Sequence, residues 1–362
     1  MSRAGHSVLI MAGGTGGHIF PGLAVADSLR QQGIEVRWLG ARGGMECQRV
    51  PSWGVPLDVV DIAGLRGKGL LRWLLIPWKL LRAVLQAARL MGERRPGCAI
   101  SFGGYAAGPG GLAAKLRGVP LLVHEQNRIP GLTNRVLARI AARVLQAFPG
   151  TWGESLRPVT CGNPVRQDVA ALAEPGTRLA GRSGPVRLLV TGGSQGARAL
   201  NRLVPEALGI AGPVPGVEVR HQCGRGWWDE TREAYRVAGV RAEVTEFIED
   251  MAGAYAWADV VVCRAGALTV SEVAAAGVAA VFVPFPHAVD DHQTRNAEFL
   301  VERGAALLLP ESGLDARRMA DALNGLLDDR ARQLDMAIRA RAAAMPDAAG
   351  KVADLCREFL AS

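Results

Sequence analysis

One pattern occurs twice in this chain and restricts its fold more than any other feature. Ser7-Val8-Leu9-Ile10-Met11 has the length and apolar content of a buried strand. Gly13-Gly14-Thr15-Gly16-Gly17 follows it, and then a helical stretch to about Gln32. Val186-Arg187-Leu188-Leu189-Val190, Gly192-Gly193-Ser194-Gln195-Gly196 and another helical stretch repeat the order. A strand, a glycine-rich turn and a helix make the opening unit of a doubly wound parallel sheet. The turns begin at residues 13 and 192, a separation that suits one domain each.

The spacing therefore predicts an α/β chain of two Rossmann-like, doubly wound parallel-sheet domains. Further strands are expected at 36–39, 98–101 and 121–123 in the first half, and at 217–220, 260–262 and 280–283 in the second. Helical segments lie between them, as parallel strands require. Cys161-Gly162-Asn163-Pro164 reads as a hinge. Ligands of such sheets bind beyond the carboxyl ends of the strands, so two facing domains would form one deep cleft.

Composition excludes several classes. Apolar residues are 49% and charged residues 21%, which suits globular folding. Cys47, Cys98, Cys161, Cys223, Cys263 and Cys356 form no C-x-x-C pair and no metal-ligand spacing, and read as reduced thiols. No apolar targeting segment precedes the first strand, and no run approaches the roughly 20 apolar residues of a membrane span. The net charge of +8 suits an anionic partner: nucleic acid, lipid or a phosphorylated substrate. A nucleic-acid module would carry a basic stripe with aromatic platforms, and outside 64–92 there is none.

A glycine-rich turn opening a helix is an anion site, because bare backbone N–H groups approach phosphate oxygens at the positive end of the helix. Neither turn has the G-x-G-x-x-G spacing of a dinucleotide site. The acidic residue that would hold a ribose is missing at Leu39-Gly40-Ala41 and at Gln222-Cys223-Gly224. No G-K-[ST] occurs either.

Six blocks then narrow the field: Gly13-Gly14-Thr15-Gly16-Gly17-His18, Ser101-Phe102-Gly103-Gly104-Tyr105, His124-Glu125-Gln126-Asn127, Gly162-Asn163-Pro164-Val165-Arg166, Gly192-Gly193-Ser194-Gln195-Gly196 and the run 263–272. In this order they resemble the N-acetylglucosaminyltransferases of the lipid-linked peptidoglycan pathway, from about residue 8 to about 355. The resemblance implies a GT-B architecture. An acceptor domain at 1–164 would associate with the membrane, a nucleotide-sugar domain would occupy 165–342, and 343–362 would pack back on the first domain. It also implies an inverting transfer of N-acetylglucosamine from UDP-N-acetylglucosamine to lipid I, with no metal and no cofactor. The chain contains no D-x-D motif, and Asp290, Asp291 and His292 are not read as a metal cluster.

On the donor side Gly266-Ala267-Leu268-Thr269 should open a helix whose amides, with the Thr269 hydroxyl, suit the diphosphate, and Val270 and Ser271 are the next substrate-binding residues of that block. Glu272 would take the ribose hydroxyls, and the resemblance implies Ile248 and Arg166 at the uracil, Ser194 at the phosphates and Gln293 at the sugar hydroxyls. Read alone, the 264–272 block is a capped helix with a solvated glutamate. On the acceptor side Thr15, Gly16, Gly17 and Asn127 would line the pocket. Inversion needs a base for the acceptor hydroxyl. His18 is the first candidate, since an imidazole with its ordinary pKa of about 6.5 exchanges protons near neutrality; hydrogen bonding to the acceptor diphosphate is its alternative role. Glu125 is the second candidate for the base.

Residues 64–92 mix Lys68, Arg72, Lys79, Arg82, Gln86 and Arg89 at helical spacing with leucines, Trp73 and Trp78. A basic amphipathic segment with tryptophans suits an anionic membrane surface. Pro77 is expected to break or start a helix. The whole reading places the protein peripherally on the cytoplasmic face of the inner membrane, with other cell-wall synthesis or division proteins as further partners. A different GT-B enzyme, such as a UDP-sugar epimerase, is the competing reading; it would share the donor site but not the Gly-Gly-Thr-Gly-Gly-His turn.

Overall fold

The structure, a computed structural model, describes residues 5–62, 70–193, 196–210, 216–286 and 289–360, and only the backbone of 70–75 and 289. Ser194 and Lys68 lie outside the described residues, as do the side chains of Arg72 and Trp73. The chain forms two compact units: Met1–Arg166 with Met345–Ser362, and Gln167–Ala344.

In the first unit the strands are β1 (Ser7–Ala12), β2 (Glu35–Ala41), β3 (Leu57–Val60), β4 (Cys98–Gly103), β5 (Leu121–Glu125), β6 (Arg143–Gln146) and β7 (Val159–Thr160). They form one parallel sheet in the order β3-β2-β1-β4-β5-β6-β7. The helices are α1 (Gly16–Gln31), α2 (Glu46–Ser52), α3 (Leu70–Arg94), α4 (Ala107–Leu116) and α5 (Leu132–Ala138).

Every residue of β1 is buried, because helices cover both faces of the sheet. Side chains alternate along a strand. Val8, Ile10 and Ala12 therefore pack with Ile19 and Leu23 of α1, while Leu9 and Met11 pack with Ala83, Ala87 and Met91 of α3. Trp38 of β2 is wholly buried and its indole N–H donates to Ala12 O at 2.8 Å. A Cβ at Gly22 would lie 2.6 Å from that indole ring, so only glycine lets α1 rest on Trp38.

The second unit repeats the plan with β8 (Val186–Thr191), β9 (Val217–Gln222), β10 (Ala242–Thr245), β11 (Val260–Cys263), β12 (Ala279–Phe282) and β13 (Ala306–Leu308). Their order is β10-β9-β8-β11-β12-β13, again all parallel. The helices are α6 (Gln167–Ala170), α7 (Pro175–Arg178), α8 (Arg198–Ile210), α9 (Trp228–Val237), α10 (Met251–Trp257), α11 (Ala267–Ala276), α12 (His292–Val301), α13 (Ala316–Leu327) and α14 (Arg330–Ala342). Val186, Leu188 and Val190 share a core with Leu200 and Val204 of α8 and Met319 and Leu323 of α13.

The last helix, α15 (Ala348–Arg357), lies in the first unit. It buries Val352, Ala353 and Cys356 in the core formed by α1 and β4.

Two differences from the sequence reading stand out. The strands β3, β6, β7, β10 and β13 were not anticipated. All lie at or next to a sheet edge, where one flank meets solvent and residues such as Asp58 and Glu243 interrupt the apolar run. Pro77 neither breaks nor starts a helix: α3 runs through it from Leu70 to Arg94. A proline forfeits one backbone hydrogen bond, and the burial of Ala83, Val84, Ala87 and Met91 along the same helix offsets that loss.

Candidate active site

In each sheet the chain leaves its central strand in one direction and returns on the other side. The reversal falls between β1 and β4 in the first unit and between β8 and β11 in the second. The loops leaving the carboxyl ends of adjacent strands diverge there, which opens a crevice. Both glycine turns lie at such a point.

At the first, Thr15 is the N-cap of α1 in extended backbone, and its side chain makes no cap hydrogen bond. Gly16, Gly17 and His18 form the first turn of α1, so Thr15, Gly16, Gly17 and His18 do come together, around a helix N-terminus. His18 Nδ1 lies 3.1 Å from Gly13 O. A carbonyl only accepts, so Nδ1 carries the proton and Nε2 of the neutral ring keeps its lone pair. That nitrogen faces Gly103 at the end of β4: a Cβ at 103 would lie 3.3 Å from it. Gly104 has φ +93, and a side chain there would run into the Gly13 carbonyl. Two glycines thus let the β4 loop close against the first turn and bring Tyr105 beside Gly14.

Sequence reasoning missed what holds this turn from below. Glu46, wholly buried at the start of α2, accepts from Gly14 N at 3.1 Å and from Ala41 N at 2.8 Å. It stands just past β2, close to where a dinucleotide-binding fold keeps its ribose carboxylate, but its oxygens serve the protein's own backbone. The only signal was Gly43-Gly44 ahead of an acidic residue.

Glu125 requires a correction. It is 1% exposed, and its Oε1 accepts from Asn127 N at 2.9 Å and Asn127 Nδ2 at 3.1 Å. Its Oε2 accepts from Gly131 N at 3.1 Å and Asn134 Nδ2 at 2.9 Å. All four acceptor positions of the carboxylate are engaged, so Glu125 is poorly placed to take a proton and well placed to hold the 126–131 loop. Asn127 belongs to that loop and is half-buried. Replacing Glu125 with Ala removes the shared acceptor of four hydrogen bonds, two from backbone N–H groups and two from side-chain amides. Hydrogen bonds to a charged group contribute about 1.5–3 kcal/mol each, and some of these donors keep another partner, so Glu125→Ala should lower the unfolding free energy by roughly 3 kcal/mol, seen as a lower midpoint in urea. An unchanged midpoint would show that solvent replaces the carboxylate there.

Neighbouring His124 is fully buried. Its Nε2 lies 2.9 Å from Gly162 O, and its Nδ1 accepts from Gln126 Nε2 at 3.0 Å. Burial pushes its imidazole down to about 4, so it stays neutral and structural. Arg166, the last residue of this stretch, belongs to the first unit and lies over the Phe20 ring of α1 at 5.6 Å.

In the second unit, β11 feeds directly into α11. Gly266 is the N-cap and brings no side chain over the amides of Ala267, Leu268 and Thr269. Leu268, Thr269 and Ser271 are half-buried, whereas Ala267 and Val270 face the core. Glu272 is not a solvated glutamate: it is 5% exposed and its Oε2 accepts from Tyr255 Oη at 3.3 Å. Ile248 is half-buried in the loop after β10, between exposed Phe247 and Asp250, which caps α10 by accepting from Gly253 N at 2.7 Å. Gln293 lies in the first turn of α12, where its Oε1 accepts from Phe285 N at 3.0 Å. The turn before α12 has Asp290 at φ +55 and Asp291 at φ +52. Among the described residues no three His, Cys, Asp or Glu side chains gather as a metal site.

The second glycine turn is buttressed by side chains that the sequence did not single out. Gln222 Nε2 donates to Gly193 O at 3.0 Å. A buried chain runs from Tyr235 Oη to His221 Nδ1 at 2.8 Å, from His221 Nε2 to Asn201 Oδ1 at 3.0 Å, and from Asn201 Nδ2 to Cys223 O at 3.0 Å.

The glycosyltransferase family 28 N-terminal domain matches residues 8–146, and the glycosyltransferase family 28 C-terminal domain matches residues 187–352. A protein of Aeromonas hydrophila is 57% identical over 98% of this chain and 97% of its own length. It is called UDP-N-acetylglucosamine–N-acetylmuramyl-(pentapeptide) pyrophosphoryl-undecaprenol N-acetylglucosamine transferase. A protein of Xanthomonas campestris with the same name is 59% identical over 96% of this chain and 81% of its own. Among solved structures, Acinetobacter baumannii MurG superposes with a TM-score of 0.86 at 42% identity, covering 97% of this chain and 99% of the other.

Proposed function

The chain belongs to glycosyltransferase family 28, and from that premise we propose that it transfers N-acetylglucosamine from UDP-N-acetylglucosamine to the C4 hydroxyl of N-acetylmuramic acid in undecaprenyl-pyrophosphoryl-MurNAc-pentapeptide. The product is the β(1→4)-linked disaccharide lipid used for peptidoglycan. The observation that carries the reading is near-full-length identity of 57–59% with relatives bearing that transferase name.

The roles divide between the units. In the first, His18 is the general base: Gly13 O orients the ring through Nδ1, and Nε2 takes the acceptor hydroxyl's proton as its oxygen attacks the anomeric carbon. The bond from that carbon to the donor diphosphate breaks on the opposite face, which inverts the centre. Thr15, Gly16, Gly17 and Asn127 bind the acceptor, and Glu125 positions Asn127 without touching substrate.

In the second unit, the α11 N-terminus at Ala267, Leu268 and Thr269 stabilises the departing UDP, as a helix end does for developing negative charge. Val270 and Ser271 continue that turn, Glu272 takes the ribose hydroxyls, Ile248 the uracil and Gln293 the sugar. Arg166 and Ser194 complete the nucleotide contacts. Mass and linkage analysis of the product from UDP-N-acetylglucosamine and a lipid I analogue, run in EDTA, tests the assignment. A product lacking the new β(1→4) linkage would overturn it.

We place the enzyme on the cytoplasmic face of the inner membrane through α3. No helix among the described residues is long and apolar enough to cross a bilayer. Trp78, Leu81 and Leu85 are exposed on α3, Trp78 to 65%, with Lys79 and Arg82 beside them and exposed Leu116 at the end of adjacent α4. Part of the basic character is already engaged, since Arg82 pairs with Asp61 at 3.5 Å and Gln86 donates to the same carboxylate. Each basic residue near an anionic surface contributes about 1 kcal/mol, so the Lys79→Gln/Arg82→Gln double variant should bind anionic vesicles roughly tenfold more weakly. Equal binding by the folded variant would show that another surface makes the contact.

A further inference from the structure

We infer that Glu311 and Arg264 form a clamp that orients Gln293, so that Glu311, acting through Arg264, helps set which sugar the donor site accepts. This rests on the proposed sugar contact of Gln293.

Arg264 stands between β11 and α11, at the start of the donor block, where a free guanidinium would be taken for a phosphate ligand. Its Nη1 instead forms an ion pair with Glu311 Oε2 at 2.5 Å. The same nitrogen donates to Val283 O at 3.0 Å and to Pro284 O at 3.1 Å. The guanidinium carbon lies 5.5 Å from the centre of the Phe285 ring. Arg264 is 13% exposed and Glu311 25%, so the pair is largely shielded from water and salt.

Arg264 therefore grips three successive residues of the loop after β12. The third, Phe285, donates its backbone N–H to Gln293 Oε1 at 3.0 Å. With Oε1 accepting from the backbone, the amide is held in one orientation, and Nε2 is the end left to donate to a sugar hydroxyl. Gln293 also follows two consecutive non-glycine residues in left-handed backbone, Asp290 and Asp291. Such a turn lies uphill of ordinary conformations and persists only when its surroundings hold it. The Phe285–Gln293 hydrogen bond is one such hold, and Glu311 anchors the arginine that fixes Phe285.

The test uses the full chain and three variants: Glu311→Ala, Glu311→Gln and Gln293→Ala. The measurements are turnover with UDP-N-acetylglucosamine and with its C4 epimer, affinity for UDP alone, and hydrogen exchange of the Val283 and Phe285 amides, the two in 283–286 that are not proline. A misplaced amide loses roughly one hydrogen bond of discrimination, about tenfold. Glu311→Ala should therefore lower the preference for the gluco sugar about tenfold and speed exchange of the Phe285 amide, while UDP affinity, which involves no sugar, stays near wild type. Glu311→Gln, which keeps the length of the side chain, should fall between. Exchange of the Phe285 amide unchanged in Glu311→Ala overturns the clamp, as does intact discrimination in that variant when Gln293→Ala loses it. If Gln293→Ala keeps full discrimination, the sugar contact itself is wrong; exchange in Glu311→Ala still decides whether the clamp exists, and the specificity role falls. A general loss of folding would show as weakened UDP affinity in both Glu311 variants and would make Glu311 merely structural.

Discussion

His18→Ala should lose on the order of 10²–10⁴ in kcat while its affinity for UDP stays near wild type. The side chain belongs to the first unit, and the proposed ribose, uracil and sugar contacts of Glu272, Ile248 and Gln293 belong to the second. The Gly13 carbonyl gives the expectation a further edge. With Nδ1 donating to it, proton transfer has a single route, through Nε2. His18→Gln can mimic one hydrogen bond of the ring but cannot take up a proton near neutrality, so it should be nearly as inactive as the alanine variant. A base must be neutral to act; the wild-type rate should fall on the acid side as the imidazole protonates, and that limb should vanish in both variants. A ligand of the acceptor diphosphate behaves otherwise: its loss raises the acceptor KM and leaves kcat close to wild type. A pure KM effect with the acid limb intact would end the assignment, and because the Glu125 carboxylate is fully engaged, the base would then have to be sought outside both candidates.

Glu272→Ala should weaken UDP binding by about 10²-fold or more, since each hydrogen bond to a carboxylate contributes about 1.5–3 kcal/mol. Because Glu272 also accepts from Tyr255 Oη, the variant should lose some stability as well. Tyr255→Phe separates the two effects: it removes the internal donor, keeps the carboxylate, and should bind UDP as tightly as the parent or tighter, the carboxylate having one competitor fewer. Calorimetry on the three proteins decides the matter. A Glu272→Ala affinity within threefold of the parent would remove this residue from the nucleotide site.

The parts of the fold that could be read from the residues are those buried on both sides. β1 is apolar from Val8 to Ala12 and β8 is broken only by Arg187 before its terminal Thr191, because helices cover both faces, and a glycine turn after each marks where the chain must bend sharply. The edge strands were invisible for the opposite reason: half-exposed, they mix charge with apolar residues and lose the pattern. Among the site residues, sequence could nominate positions but not the direction of their hydrogen bonds. Sequence ranks His18 ahead of Glu125 as proton acceptor from residue type and position alone, without the partners of either side chain. One carboxylate proves saturated, and one imidazole is left with a bare nitrogen. Glu46 was hidden because its partner Gly14 lies 32 positions away in the chain. Glu311 was hidden for the same reason: nothing local ties it to Arg264 or, through Phe285, to Gln293.

The first unit is assembled from two stretches, with all of the second unit between them in the chain. During synthesis, Ile19, Leu23 and Cys98 emerge long before Val352, Ala353 and Cys356, which complete their core. At ribosomal rates of about 5–20 residues per second, the interval from Cys98 to Val352 is roughly 13–50 s. Throughout it, the apolar side chains of α1 and β4 that α15 covers lack their native cover. The second unit, continuous in the chain, folds without waiting.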